Sequence, residues 1–465
     1  MHTHEAGSLH ADAREPGSAP LTAPADVNAL NPTIWSSNVT RSDAGVLTIA
    51  GVAATELARD FGTPAYIVDE ADFRARCRNW VGAFPAADVF YAGKAFLTTE
   101  IARWVRDEGL GLDVCTGGEL ALALRAGFPA DRIALHGNNK SVIELAAALD
   151  AGVGRIVVDS FEEIDRLTSL ARERAIRPRV LVRTTVGVEA HTHEFIATAH
   201  EDQKFGFSLA GGAAKEAARR VLDSGPLELV GLHSHIGSQI FDTAGFEVSA
   251  HRVVGLLREI RDDYAVELPE LDLGGGLGVA YVPTDDPPEI SYIAAQLRDI
   301  IERECDAAVL SPPRLSVEPG RAICGPTTFT LYEVGTIKPI EVGAGLVRTY
   351  VSVDGGMSDN IRTALYDASY SCTLANRASS AAPVLSRVVG KHCESGDIVV
   401  RDIYLPADVA LGDLLAVPVT GAYCRSLASN YNHLGRPPVV AVRDGVARLI
   451  VRRETIDDLL RLDVE

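Results

Sequence analysis

From residue 65 to residue 321, short apolar runs alternate with longer amphipathic stretches, and this rhythm restricts the fold more than any other feature of the chain. "AYIVDE" precedes "ADFRARCRNWVGAF", "DVFYAGKAF" precedes "TTEIARWVRDEG", and "GLDVCT" precedes "GGELALALRAG". "RIALHG" with "KSVIELAAALDAG" and "RIVVDS" with "FEEIDRLTSLARERA" repeat the pattern, and "RPRVLVRTTV", "LELVGLHSHIGS", "ELDLGGGLG" and "RLSVEPGR" extend it. A continuous apolar run followed by a helical period marks strand–helix–strand units of a parallel sheet, whose strands are buried on both faces. Eight or nine such strands over roughly 250 residues fit a (β/α)8 TIM barrel. An open parallel sheet would gather its ligand residues near one switch point. Here Lys94, Asp113, His136, Asp159, Arg183, His235, Gly274 to Gly276 and Glu318 stand at the carboxyl ends of nearly all the strands, which a closed ring collects into one mouth.

After residue 325 the helical period fades. "TFTLYEVGTIKPI", "VRTYVSVDGG", "DIVVRDIYLP" and "DLLAVPVTGAY" read as strands between Gly, Pro and Asp turns, so residues 326–465 are expected to form a mostly β domain, sandwich- or barrel-like. Residues 27–65 are strand-like and too short for a core of their own; they are expected to join it, leaving 66–325 as the barrel. The first 26 residues lack a basic segment followed by an apolar one, and read as a disordered tail rather than a signal peptide. A net charge of −19 argues against a nucleic-acid or acidic-membrane partner, and no apolar run reaches the length of a membrane span. Seven widely spaced cysteines without a C-x-x-C pair suit a reducing cytoplasm. The pairs His2/His4, His191/His193 and His233/His235 lack the companion spacing of a zinc site, so no metal is expected.

Lys94 is one of six lysines in the chain and ends an otherwise apolar run, where a cation must reach water, find a partner or lose its charge. In "DLGGGLG" three consecutive glycines allow backbone amides to approach an anion closely. "HSHIGSQ" and "EPGRAICG" end two other strands with small residues, amides and a hydroxyl or guanidinium, so three phosphate-compatible segments share one mouth. A lysine, a phosphate cradle, a flat histidine and a carboxylate are what pyridoxal 5'-phosphate requires, with Glu318 the candidate partner of the pyridine nitrogen. Lys140, in "HGNNKS", is the rival for the lysine that holds the cofactor.

The segments "YAGKAF", "HTHEFIATAHEDQKFGF", "GLHSHIGSQ", "DLGGGLG", "EPGR", "DGGMSDNIRTALY" and "CESGD" resemble, in order from about residue 45 to 460, the diaminopimelate decarboxylases among the barrel-type pyridoxal-phosphate decarboxylases. The resemblance implies decarboxylation of meso-2,6-diaminopimelate to L-lysine by a cytoplasmic homodimer with shared active sites. Lys94 looks like the lysine that links to the cofactor, and His235 like the residue stacked on its ring. Ser238, Gly276, Gly320 and Arg321 look like phosphate contacts, Glu318 like the pyridine-nitrogen partner, and Tyr423 like a tyrosine near cofactor and substrate. Arg321, Arg362 and Tyr366 resemble substrate-carboxylate binders. Cys393 and Glu394 would reach the site from the neighbouring subunit, Cys393 as proton donor and Glu394 as a substrate contact. "KHCESGD" is polar and loop-like, which suits an accessible thiol better than a core one. His233 is read as a satisfied strand histidine outside the catalytic set, and Arg183 and Asp113 as lining of the mouth. Decarboxylation of another diamino acid, racemisation, or a non-catalytic pyridoxal-phosphate-binding regulator are the alternatives.

Overall fold

The computed structural model describes residues 22–188, 204–341 and 347–464, so the expected tail up to residue 21, the pairs His2/His4 and His191/His193, and most of "HTHEFIATAHEDQKFGF" lie outside the described residues. The chain divides into two compact units, one comprising residues 74–279 and 286–323, the other residues up to 73, 280–285 and 324 onward.

The first unit is a closed barrel. Its strands are β1 (Asp88–Ala92), β2 (Gly111–Val114), β3 (Ile133–Leu135), β4 (Arg155–Val158), β5 (Arg179–Thr185), β6 (Glu228–Ser234), β7 (Glu270–Asp272) and β8 (Arg314–Val317). Each pairs in parallel with the next, and β8 pairs with β1 to close the ring. A two-residue strand, Phe207–Ser208, lies beside β5. Val157, Leu181 and Val230, from β4, β5 and β6, form one buried cluster. Helices α1 (Thr99–Asp107), α2 (Gly117–Arg125), α3 (Val142–Ala151), α4 (Phe161–Arg174), α5 (Ala213–Asp223), α6 (Ala244–Tyr264) and α7 (Ile290–Ala308) follow the first seven strands. Thr98, Thr116, Ser141 and Ser160 start four of them, each side chain accepting the amide three residues on.

The amino-terminal ends of the strands carry a charged plug. Arg155, which opens β4, donates to both oxygens of Glu270 at 2.6 and 2.9 Å and to Asp88 at 3.1 Å, where β7 and β1 begin. A bidentate guanidinium–carboxylate pair with further acceptors can hold charge at that depth. The opposite, carboxyl-terminal end is left for chemistry.

The second unit is mostly β. Its long sheet runs Ile398–Pro406, Pro383–Val389, Val347–Val353, Thr328–Glu341, Ala65–Asp69, Val439–Arg443 and Val446–Val451, with Leu414–Pro418 also on Thr328–Glu341. Ala65–Asp69 corrects the expectation that "AYIVDE" opens the barrel: it runs antiparallel to Thr328–Glu341 and parallel to Val439–Arg443. All five of its residues are buried, so its pattern is that of a barrel strand although its partners are elsewhere. The strands Val39–Arg41, Leu47–Ile49 and Val52–Ala53 form a small antiparallel sheet, which Leu47 N joins to Ala375 O at 2.8 Å. No described helix is long and apolar enough to cross a membrane.

Candidate active site

Lys94 stands on a single 3-10 turn, Gly93–Ala95, directly after β1. Glycine is needed before it, because a Cβ on Gly93 would lie 2.7 Å from the carbonyl oxygen of Asp113. The Lys94 side chain is exposed to the mouth, and among the described residues its ammonium makes no ion pair. With Asp113, His136, Arg183, His233, His235 and Glu318 it lines a cavity of about 740 Å³. The rival Lys140 has a different fate. Its buried Nζ donates to Gly137 O and Val157 O at 2.6 Å and to Glu163 Oε1 at 2.8 Å, which uses all three of its N–H bonds. Burial lowers the Lys140 pKa and raises that of Glu163, so each charge persists through the other. Removing one partner of such a pair costs about 3–5 kcal/mol. Lys140 therefore fastens the loop after β3 and has no lone pair to offer.

Glu318 follows β8 and is buried. Its Oε1 lies 3.1 Å from His233 Nε2 and 3.4 Å from His136 Nε2, which is also 3.4 Å from Asp113 Oδ1. These approaches miss hydrogen-bond alignment, leaving Glu318 Oε1, both Asp113 oxygens and both Nε2 atoms without a hydrogen-bond partner among the described residues. Burial, reinforced by the charge of Glu318, pushes the Asp113 and Asp272 carboxyls well above the usual range. Burial pushes His136 and His233 down to about 4. Burial also opposes the ionisation of Glu318, but the imidazoles around it outweigh that and hold its pKa well below the carboxylate range. The layer thus favours a negative charge on Glu318, with both rings neutral at neutral pH and the neighbouring carboxyls biased toward their protonated forms. His233, expected to be a satisfied strand histidine, is thus a direct neighbour of Glu318.

His235 sits just beyond β6 with Nδ1 accepting from Gly275 N at 3.3 Å. Half-buried, it lines the cavity; burial and the nearby Lys94 ammonium push its pKa down to about 3, keeping it neutral. The glycine run after β7 folds tightly against its neighbours. Gly276 has φ +105°, and a Cβ there would lie 2.3 Å from Gly237 O. Ser238 Oγ accepts from Arg321 Nη2 at 2.7 Å, and Gly320 packs against Ala92 and Ala95, on either side of Lys94. The three glycine-containing segments thus meet beside the lysine turn. A buried carboxylate with one oxygen lacking a hydrogen bond among the described residues, an amine without an ion pair there, a neutral flat ring and an amide-rich cradle with a hydroxyl and a guanidinium fit pyridoxal phosphate.

The other predicted residues lie on the second unit. Arg362 and Tyr366 share a short helix, Arg362–Tyr366, the first buried and the second exposed. The Arg362 guanidinium lies 4.6 Å from the centroid of the Tyr281 ring, and its Nη1 donates to Tyr370 Oη at 2.6 Å. No carboxylate pairs with it among the described residues. Tyr281 and Tyr370 were missed in the sequence; each is remote from Arg362's helix or follows it as an ordinary aromatic. Cys393 and Glu394 are exposed on the loop before Ile398–Pro406, and Tyr423 is half-buried in left-handed backbone, φ 68°.

The chain matches the family model "Pyridoxal-dependent decarboxylase, pyridoxal binding domain" over residues 70–325. A diaminopimelate decarboxylase of Mycobacterium bovis is 61% identical to it, covering 94% of this chain and 98% of the relative. The diaminopimelate decarboxylase of Mycobacterium leprae is 59% identical, with 100% of both chains covered. The crystal structure of diaminopimelate decarboxylase from M. jannaschii in co-complex with L-lysine superposes with a TM-score of 0.86 at 31% identity, covering 92% of this chain and 98% of the other. Likeness of this degree along nearly the whole length makes the chain a member of the diaminopimelate decarboxylases, within the pyridoxal-dependent decarboxylases.

Proposed function

We infer that the protein uses pyridoxal phosphate to decarboxylate meso-2,6-diaminopimelate, giving L-lysine and carbon dioxide. Lys94 would hold the cofactor's aldehyde carbon, Glu318 its ring nitrogen, and Ser238, Gly276, Gly320 and Arg321 its phosphate, with His235 against one face. When bound, the cofactor supplies the sink for the electron pair that the departing carboxylate leaves behind. Glu318, whose pKa is held well below the carboxylate range, would keep a proton on the ring nitrogen. Cys393 would return the proton to the α carbon, Glu394 would contact the distal ammonium of the substrate, Tyr366 would join Arg321 and Arg362 as a substrate-carboxylate binder, and Tyr423 would lie near cofactor and substrate. The reducing cytoplasm is the compartment proposed, in keeping with seven cysteines that form no disulfide among the described residues.

Arg362 is the observation that carries the choice of substrate. A buried guanidinium seated between Tyr281 and Tyr370, with no acid of its own among the described residues, suits a ligand that brings a second carboxylate. Ornithine brings none and would leave the guanidinium unpaired. Turnover of diaminopimelate is expected to exceed that of ornithine, and Arg362→Met to lower kcat/KM for diaminopimelate on the order of 10²-fold. A preference for ornithine in the parent enzyme would sink the assignment.

Cys393 and Glu394 are proposed to act from the neighbouring copy in a homodimer. Mixing Lys94→Ala and Cys393→Ala chains should then raise activity above that of either variant alone, because one composite site in the mixed dimer keeps both residues. No recovery in chains shown to exchange would remove the shared site.

A further inference from the structure

The loop that carries Cys393 is built around one carboxylate. Gly390 N donates to Asp397 O at 3.0 Å and Asp397 N to Glu394 O at 3.2 Å, closing residues 390–397 on themselves. The Asp397 side chain then takes His392 N at 2.8 Å and Met357 N at 2.6 Å, which ties this loop to the turn at residues 354–360. Lys391 N adds a bond to Gly355 O at 3.0 Å. The approach requires glycine, since a Cβ on Gly390 would lie 2.3 Å from Asp397 Oδ2.

Lys391, Cys393, Glu394 and Ser395 are exposed; His392, between them, is buried. Its Nε2 lies 2.8 Å from Ser358 Oγ and its Nδ1 3.0 Å from Asn432 Oδ1. The ring stacks on Tyr431 with centroids 5.1 Å apart and planes 27° apart. Asn432 and His433 are both in left-handed backbone, φ 51° and 57°, a conformation the surroundings must maintain. One imidazole thus clamps the Cys393 loop to two other segments, the turn at 354–360 and the stretch at 429–433. The exposed side chains of the loop cannot fix their own position, because each loses rotamer freedom on ordering and gains little contact in return.

We propose that His392 is the positioning residue that sets where the Cys393 thiol is presented, its two ring nitrogens and its stacked face holding the loop backbone beside Cys393 in one arrangement. The inference rests on the reading of Cys393 as the residue that returns the proton. Proton delivery is sensitive to displacement of a fraction of an ångström, so a loosened loop should slow the reaction without weakening the rest of the site.

His392→Phe keeps the ring and the stack but removes both hydrogen bonds. In the holoenzyme it is expected to lower kcat about 30-fold with KM within about 2-fold, the cofactor's visible absorbance unchanged, and amide hydrogen exchange across 390–397 accelerated. In a Cys393→Ala background the same change should cost no further activity, because a residue acting through the thiol has nothing left to position. Losses that multiply in the double variant, or faster exchange with undiminished kcat, would overturn the proposal. An unchanged kcat in Cys393→Ala alone would remove the thiol's role and this inference with it, a failure separable from the others. If His392→Phe does not fold, Ser358→Ala removes one hydroxyl and should show the same pattern as a several-fold loss; additive behaviour there is equally fatal.

Discussion

Lys94→Ala is expected to turn over diaminopimelate on the order of 10⁴-fold more slowly than the parent enzyme, the scale reached when one member of a covalent catalytic unit is removed. Borohydride treatment of the parent should fix the cofactor to residue 94, and treatment of the variant should fix it nowhere. The expectation rests on the contrast between two lysines of one barrel. The Lys94 amine is exposed in the mouth with no ion pair among the described residues, whereas all three N–H bonds of Lys140 are committed to Gly137, Val157 and Glu163. Peptide mapping decides between them: a label on Lys140, or a variant with near-parental turnover, would reassign the covalent role. The Ser238–Arg321 cradle is intact in Lys94→Ala, so the variant should still bind the cofactor without a covalent link, and dialysis should release it faster.

Glu318→Gln is expected to lower kcat on the order of 10³-fold while the protein still purifies with its cofactor. Glutamine preserves shape and removes the charge of Glu318 from a layer whose other acids, Asp113 and Asp272, are pushed toward their protonated forms by burial and by Glu318 itself. His136 and His233, neutral at neutral pH, cannot replace its charge, and burial biases Asp113 toward its protonated form. The pH dependence carries a sign. Glu318 raises the pKa of both histidines, so its loss should move any inactivation that accompanies their protonation to lower pH. Retention of kcat within about 3-fold of the parent would show that the charge on Glu318 is not what the reaction needs.

The barrel was legible because each strand-to-helix change of period is local, and the residues at the strand ends could be read off in order. Ala65–Asp69 was misplaced for a physical reason: a strand at the centre of an all-buried sheet region and a parallel barrel strand bury both faces alike, and only the partners differ. The carboxylate layer was half legible. Asp113, His136 and Glu318 were visible at strand ends, but the meeting of His136, His233 and Glu318 joins β3, β6 and β8, which are not neighbours in the ring. Only closure of the barrel brings them together. The seating of Arg362 needs Tyr281, far back along the chain, and periodicity holds no record of such contacts.

The charged plug of Arg155, Glu270 and Asp88 has a consequence for how such an enzyme can change. It locks three strands at the end of the ring remote from Lys94, so the closure of the barrel does not depend on which residues crown the other end. Side chains around the mouth can be exchanged one at a time against a frame that does not move. That separation is the material basis of evolvability in this scaffold: a new substrate preference can be tried without first risking the fold.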